Sequence, residues 1–111
     1  MLRFVLAKNF GETWVFSVVY GAQFGVALQR ICAYIWADKP SVARNFKKTL
    51  KTKLESLGQN PYRCRASHFI ENENYRDLTH KGYILIYKVV QDERLIQVLD
   101  IFKWIDRGEV T

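Results

Sequence analysis

Two neighbouring segments rich in β-branched and aromatic residues restrict the possible folds of this chain more than any other feature. They cover residues 83–90 and 95–102, and a polar stretch of four residues, 91–94, separates them. Such a composition is typical of β-strands, and a connection of this length is typical of a hairpin. The two segments are therefore predicted to pair as adjacent antiparallel strands.

A basic amphipathic helix is predicted between Pro40 and Leu57. A proline suits the first helical turn, where its missing N–H costs nothing. Apolar residues then follow at spacings of four, four, four and three, which places them on one side of a helix. These residues are Val42, Phe46, Leu50, Leu54 and Leu57. Gly58 comes directly after the last of them, where a left-handed helix C-cap is expected.

A second helix is predicted before the basic one. Its apolar residues also recur at helical spacing: Phe24, Leu28, Ile31 and Ile35. The helix is expected to end near Trp36, so that residues 37–39 form the short turn of an αα-hairpin. Neither helix can bury its apolar side alone, and the strand pair supplies the surface that covers both.

Weaker strand predictions fall on residues 67–70, with an extension to 76 left open, and on residues 2–7. Residues 13–20 allow two interpretations, a strand paired with 2–7 or the front of a long first helix, and periodicity does not choose between them. The predicted fold class is α+β, with a two-helix hairpin packed on one face of a small, mainly antiparallel β-sheet.

The positive charge is concentrated in the first half of the chain. A length of 111 residues allows one domain and no second core. Residues 1–57 hold 9 basic and 3 acidic side chains, whereas residues 58–111 hold 8 of each, so the whole net charge of +6 comes from the first half. This excess indicates an acidic partner, either nucleic acid or an acidic protein segment.

The two cysteines, Cys32 and Cys64, form neither a disulfide framework nor a metal-binding pair. A reduced, cytoplasmic location is the simplest interpretation. The apolar run at the N-terminus is too short for a secretory signal. The uncharged run at residues 13–29 is short and interrupted compared with the roughly 20 apolar residues of a membrane span. No membrane association is expected.

Few residues suggest catalytic or metal chemistry. Cys64, His68 and His80 lie in one stretch, but their spacing matches no standard metal-ligand set, so neither a metal nor a cofactor is expected. The cations of the basic helix allow two interpretations, a solubilising face or contact with phosphates or an acidic partner helix. Two interpretations are also open for three arginines. They could form an anion-binding surface, or they could pair with Glu71, Glu73 and Asp77. These arginines are Arg63, Arg65 and Arg76.

Several motifs, taken in order, resemble the RelE/ParE superfamily of bacterial toxin–antitoxin toxins over about residues 27–103. They are RICAYI at 30–35, PSVARNF at 40–46, NPYRCR at 60–65, YRDL at 75–78 and KGYILIYK at 81–88. The resemblance implies a single domain over residues 1–111 with a helical hairpin on a small antiparallel sheet. It also implies that residues 2–10 hold the family's first strand and that 11–26 are an insertion or atypical segment.

The resemblance leaves the target open. RelE-type members are ribosome-dependent mRNA endonucleases, and in that alternative Arg65, Arg76 and Lys103 are the catalytic candidates. RNA cleavage needs a base and an acid, and no base is evident here. The resemblance therefore favours ParE-type members, which bind DNA gyrase, inhibit growth, stabilise plasmids and are neutralised by an acidic antitoxin segment. An inactive relic that only binds antitoxin is a third alternative. The expected antitoxin- or nucleic-acid-binding residues are Arg44, Lys47, Lys48, Lys51 and Arg63.

Overall fold

The structure is a computed structural model that describes residues 8–10 and 13–103. Seven strands and two long helices follow one another in the described chain. They are β1 (Lys8–Phe10), β2 (Thr13–Val15), β3 (Ser17–Tyr20), α1 (Ala22–Asp38), α2 (Pro40–Ser56), β4 (Arg65–Ala66), β5 (Tyr75–His80), β6 (Tyr83–Val90) and β7 (Leu95–Lys103). Within these residues, no helix is long and apolar enough to cross a membrane.

The main sheet has five strands in the order β3-β7-β6-β5-β4. All neighbours are antiparallel except β3 and β7, which run parallel. The predicted hairpin is confirmed, since β6 pairs with β7 from Tyr83 opposite Lys103 to Val90 opposite Leu95. The two-residue turn between β5 and β6 places both Lys81 and Gly82 at positive φ, the backbone geometry that suits a tight hairpin.

Both helices pack on the same face of this sheet, which confirms the predicted α+β class. The hydrophobic core lies between them, with Phe46, Leu50 and Leu54 of α2 against alternate side chains of β6 such as Leu85 and Tyr87. Side chains one apart on a strand point to opposite faces, so the helices cover every second residue of β6. The αα-hairpin is also confirmed, but α1 continues to Asp38 instead of ending near Trp36, so Lys39 alone separates α1 from α2.

One member of the predicted apolar stripe does not face the core. Val42 is 46% exposed, whereas its neighbour Ala43 is 3% exposed and contributes to the core. Residues spaced by four advance about 40° beyond a full helical turn, so a stripe of four such residues drifts out of the contact. The prediction was therefore wrong for Val42 and right for Phe46, Leu50 and Leu54.

Residues 13–20 form strands, which excludes the long first helix. β2 pairs with β1, and β3 joins the edge of the main sheet beside β7. The predicted pairing with residues 2–7 lies outside the described residues. The insertion expected at 11–26 stays a prediction; its second half holds β3 and the first turn of α1, which begins at Ala22.

The strand predicted at residues 67–70 is wrong. This segment is a turn, because the Ser67 hydroxyl accepts hydrogen bonds from the backbone N–H groups of Phe69 and Ile70 at 3.1 and 3.3 Å. Such a local side-chain bond competes with strand pairing. The strands lie on either side of it, in the short β4 and in β5.

Gly58 is not the left-handed helix cap that its position suggested. It lies in a short 3-10 turn at Leu57–Gln59, and its φ is not positive. Glycine fits there for a different reason, since a Cβ atom would lie 2.7 Å from the backbone oxygen of Phe16. The Phe16 N–H also donates to the Gly58 carbonyl at 2.8 Å, which ties the end of α2 to the start of β3.

Candidate functional site

A groove of about 470 Å³ runs between the two helices, and it will be called the α1–α2 groove. Its floor is apolar, because Phe24 and Leu28 of α1 meet Leu50 and Leu54 of α2 there. The α1 residues that line it recur every three or four positions, as expected when one side of a helix faces a neighbour. They are Phe24, Gly25, Leu28, Gln29 and Cys32.

The α2 wall of the groove is basic. Lys47 and Lys51 line it one helical turn apart. Arg44 lies one turn earlier, with its guanidinium 5.3 Å from the centre of the Trp36 ring, so it extends the positive wall towards the end of α1. Lys51 approaches Glu55 at 4.0 Å, but both side chains are more than half exposed, so this pair is weak and leaves Lys51 available to a partner.

Two titratable groups of the groove have raised pKa values, Cys32 of α1 and Tyr20 at the end of β3. Burial raises the pKa of the Cys32 thiol, and the positive charge of Lys47 offsets only part of that effect. Burial, with a smaller contribution from Glu55, also raises the pKa of Tyr20, whose ring stacks on Phe24 at 5.7 Å. A thiol reacts as a thiolate, so Cys32 is not set up as a nucleophile. The groove combines a neutral, apolar floor with one basic wall, which suits binding rather than catalysis.

Of the two interpretations given for Arg65, an anion-binding surface or a pair with a carboxylate, the structure shows the carboxylate pair. Its guanidinium lies 3.5 Å from Asp77, whose side chain is fully buried. The same carboxylate oxygen accepts the backbone N–H of His68 at 2.8 Å. Arg65 thus balances a buried charge at the junction of β4 and β5, where removal of either partner is costly.

Arg76 holds a loop in place rather than reaching towards a ligand. It donates from Nε to the Glu73 carbonyl and from Nη1 to the Cys64 carbonyl, both at 3.0 Å. Its guanidinium also lies 4.9 Å from the centre of the Tyr62 ring. The predicted pairing with a carboxylate is not what occupies Arg76; backbone carbonyls and an aromatic ring take that place.

The three residues named for the endonuclease alternative are not brought together. Arg76 is level with Tyr87 of β6, whereas Lys103 is level with Tyr83. That separation of four strand residues is about 13 Å along the sheet. Arg65 lies opposite Asp77 in the β4–β5 pair, so these two side chains are on the same face of the sheet. Arg76 is the residue before Asp77 and points to the other face.

The remaining predicted binding residues are more dispersed. Lys48 is exposed on α2 but is not among the residues that line the groove. Arg63 donates to the Ser56 hydroxyl at 2.9 Å beside the end of α2. Tyr20 and Gln29 in the groove, and Trp36 beside it, were not predicted as site residues. The spacing of Gln29, Cys32 and Trp36 marks one side of α1, but it does not show that this side faces α2.

The histidine and cysteine residues considered for a metal are spread out. His80 is buried against α2, where Nε2 lies 3.3 Å from the Phe46 carbonyl and 3.4 Å from the Thr49 hydroxyl. His68 is exposed on the loop after β4, and Cys64 is a free thiol. Across the described ranges, no three His, Cys, Asp or Glu side chains are grouped in a way that could hold a metal ion.

Comparison with known proteins defines the class. The sequence profile described as "ParE toxin of type II toxin-antitoxin system, parDE" matches residues 18–103. The chain therefore belongs to the family of ParE toxins, within the RelE/ParE superfamily that its motifs resemble. No curated protein matches the chain in sequence.

Solved structures support the same fold. The chromosomal ParDE system from P. aeruginosa is similar with a TM-score of 0.65 at 18% identity, over 80% of this chain and 96% of that chain. The toxin–antitoxin complex RelBE2 from Mycobacterium tuberculosis has a TM-score of 0.57 at 12% identity, over 80% and 91%. A double mutant of the E. coli toxin RelE in the free state has a TM-score of 0.57 at 15% identity, over 85% and 88%.

Proposed function

We propose that this chain is the toxin of a type II toxin–antitoxin module, that it inhibits growth by binding DNA gyrase in the cytoplasm, and that a cognate antitoxin neutralises it. Its family membership supports the toxin role, and stabilisation of a plasmid by the module is part of the same proposal. The single observation that carries the proposal is the α1–α2 groove, whose apolar floor and basic wall are built to hold a partner.

The groove fits an acidic amphipathic segment of an antitoxin. Helix-in-groove recognition lays the apolar side of one helix into a hydrophobic channel. From Phe24 to Cys32, the α1 side of the groove spans about 12 Å, the length of roughly two helical turns of a bound segment. Lys47 and Lys51 would then meet carboxylates along one edge of that segment, which fixes its orientation and speeds its association.

A function by binding, rather than by cleavage of RNA, is supported by the arrangement of the cations. RNA cleavage needs a base for the 2′-hydroxyl, an acid for the leaving oxygen and positive charge at the phosphate, all within reach of one another. Arg65 and Arg76 are held in intramolecular contacts, and Lys103 is distant from both along the sheet. This arrangement does not favour the endonuclease alternative.

The test has three readouts. The full chain is expressed in bacteria under an inducible promoter, and growth and transcript integrity are measured after induction. The purified chain is then added to DNA gyrase, and its effect on supercoiling is measured. We expect supercoiling to be inhibited and transcripts to stay intact. Transcripts cut on ribosomes, with gyrase unaffected, would replace the proposal with the endonuclease alternative. Growth without arrest would indicate the inactive relic.

The groove has its own test. A small reading frame found next to the gene, the expected place of an antitoxin gene, is co-expressed with the toxin, and the suppression of growth arrest is measured. The double variant Lys47→Glu, Lys51→Glu is expected to escape suppression, because it reverses the charge of the basic wall. The matched control, Lys39→Glu with Lys81→Glu, makes the same change of net charge at exposed positions outside the groove. Equal suppression of both variants would contradict a role for the groove.

A further inference from the structure

A second concavity lies on the other side of α1, and it will be called the α1–β7 cleft. It has a volume of about 360 Å³ and lies between α1 and the end of β7, next to the first residue of β6. The α1 residues that line it include Arg30, Ile31 and Tyr34. At 100° per residue these positions are about 100–160° around the helix from Gln29 and Cys32, so the cleft and the α1–α2 groove lie on different sides of the helix.

The cleft has the side chains that usually dominate protein–protein binding. Tyr34 is 72% exposed, a high value for an aromatic residue. Arg30 lies one helical turn before Tyr34, and Lys103 lines the cleft from β7. Tyrosine and arginine are enriched among the few interface residues that carry most of the binding energy. Among the described residues that line the cleft, none is acidic.

We propose that the α1–β7 cleft is the surface with which the chain binds its target protein. This inference depends on the proposed function, because it assigns the gyrase contact to a site separate from the antitoxin groove. The partner is a protein surface with carboxylates around one apolar side chain. The carboxylates pair with Arg30 and Lys103, and the apolar side chain enters the cleft beside Ile31 and Ile101.

Two other occupants fit the cleft less well. A single-stranded nucleic acid needs several accessible ring faces and a row of cations. Here Tyr83 is only 9% exposed, and Phe102 packs edge-on against Phe69 at 5.2 Å, so Tyr34 is the exposed ring. A second copy of the chain, related by a two-fold axis, would bring Arg30 and Lys103 of both copies together, and like charges oppose that contact.

The test measures binding of the full chain to purified DNA gyrase. Two single variants are compared with wild type, Arg30→Glu and Tyr34→Ala. Both residues are exposed on a helix, so folding should be preserved, and circular dichroism verifies it. Each variant has a matched control outside the cleft: Lys39→Glu makes the same charge change, and Val42→Ala removes an exposed apolar side chain.

We expect Kd to rise about tenfold or more for each cleft variant, and by less than about threefold for the controls. If wild type binds gyrase and the cleft variants bind equally well, the inference is overturned while the proposed function stands. If wild type does not bind gyrase, both fall together. If the variants instead lose binding to a fluorescein-labelled single-stranded RNA while gyrase binding is unchanged, the cleft is a nucleic-acid surface and the inference is wrong.

Discussion

Replacing Phe46 by alanine should destabilise the fold strongly, whereas the same change at Val42 should not. Phe46 is 3% exposed, and its ring lies edge-on to His80 and Tyr83 at centroid distances of 4.9 and 5.4 Å. Truncation of a buried phenylalanine costs about 3–5 kcal/mol. The two ring contacts favour the upper part of that range, since each such pair adds about 0.5–1.5 kcal/mol beyond area burial.

The measurement is urea unfolding followed by circular dichroism and tryptophan fluorescence. Val42→Ala should change the free energy of unfolding by no more than about 0.5 kcal/mol, as is usual for exposed positions. Phe46→Leu should lose less than Phe46→Ala, which keeps the comparison usable if the alanine variant does not fold. Equal losses for Val42→Ala and Phe46→Ala would show that α2 is rotated relative to this structure, and the assignment of Lys47 and Lys51 to the groove would fail with it.

Two further predictions concern buried contacts. Burial, together with the positive charge of Lys53, lowers the pKa of His80 in the folded chain. The unfolded chain therefore binds a proton at His80 more readily than the folded chain does. The free energy of unfolding should keep its full value above about pH 6.5 and decrease as the pH falls below it. Urea midpoints between pH 7.5 and 5 measure this, and an unchanged pH slope in His80→Gln would contradict it. Gly58→Ala should cost about 1–3 kcal/mol through crowding, as for other overpacked sites. Its control, Gly25→Ala, adds a Cβ into open space within a helix and should stabilise the fold slightly in the same assay.

The parts of the fold that were predicted correctly are those with local signals. The β6–β7 hairpin has two strand-like segments and a short polar connection, so nothing distant is needed to recognise it. The αα-hairpin is similar, since the proline at position 40 and two apolar repeats mark it. β4 and β5 are different, because β4 has only two residues and exists through its pairing with β5. The connection between β4 and β5, residues 67–74, is longer than that of a tight hairpin and gives no local sign of the pairing, which explains the incorrect strand at residues 67–70.

In the candidate site, too, local sequence patterns predicted some features, whereas others depend on how distant segments pack together. The amphipathic pattern of α2 identified Lys47 and Lys51 as exposed cations, and the structure places both along one groove. The opposite wall comes from α1, and no pattern in one helix shows which side of another will face it. The role of Arg76 was also hidden, because its acceptors are backbone carbonyls of Glu73 and Cys64. Every residue has such a carbonyl, so composition and spacing cannot mark the ones that an arginine will use.

Helix α1 connects the two surfaces proposed for the antitoxin and the target. Its residues Gln29 and Cys32 line the groove, whereas Arg30 and Tyr34 line the cleft on the other side. A bound segment confined to the groove would leave the cleft uncovered. The start of α1 is fixed by the Gly21 N–H, which donates to the Val98 carbonyl at 2.9 Å, and the helix packs along β7. Displacing α1 would break these contacts, so neutralisation by steric blocking would require an antitoxin segment that continues from the groove around the helix to the cleft.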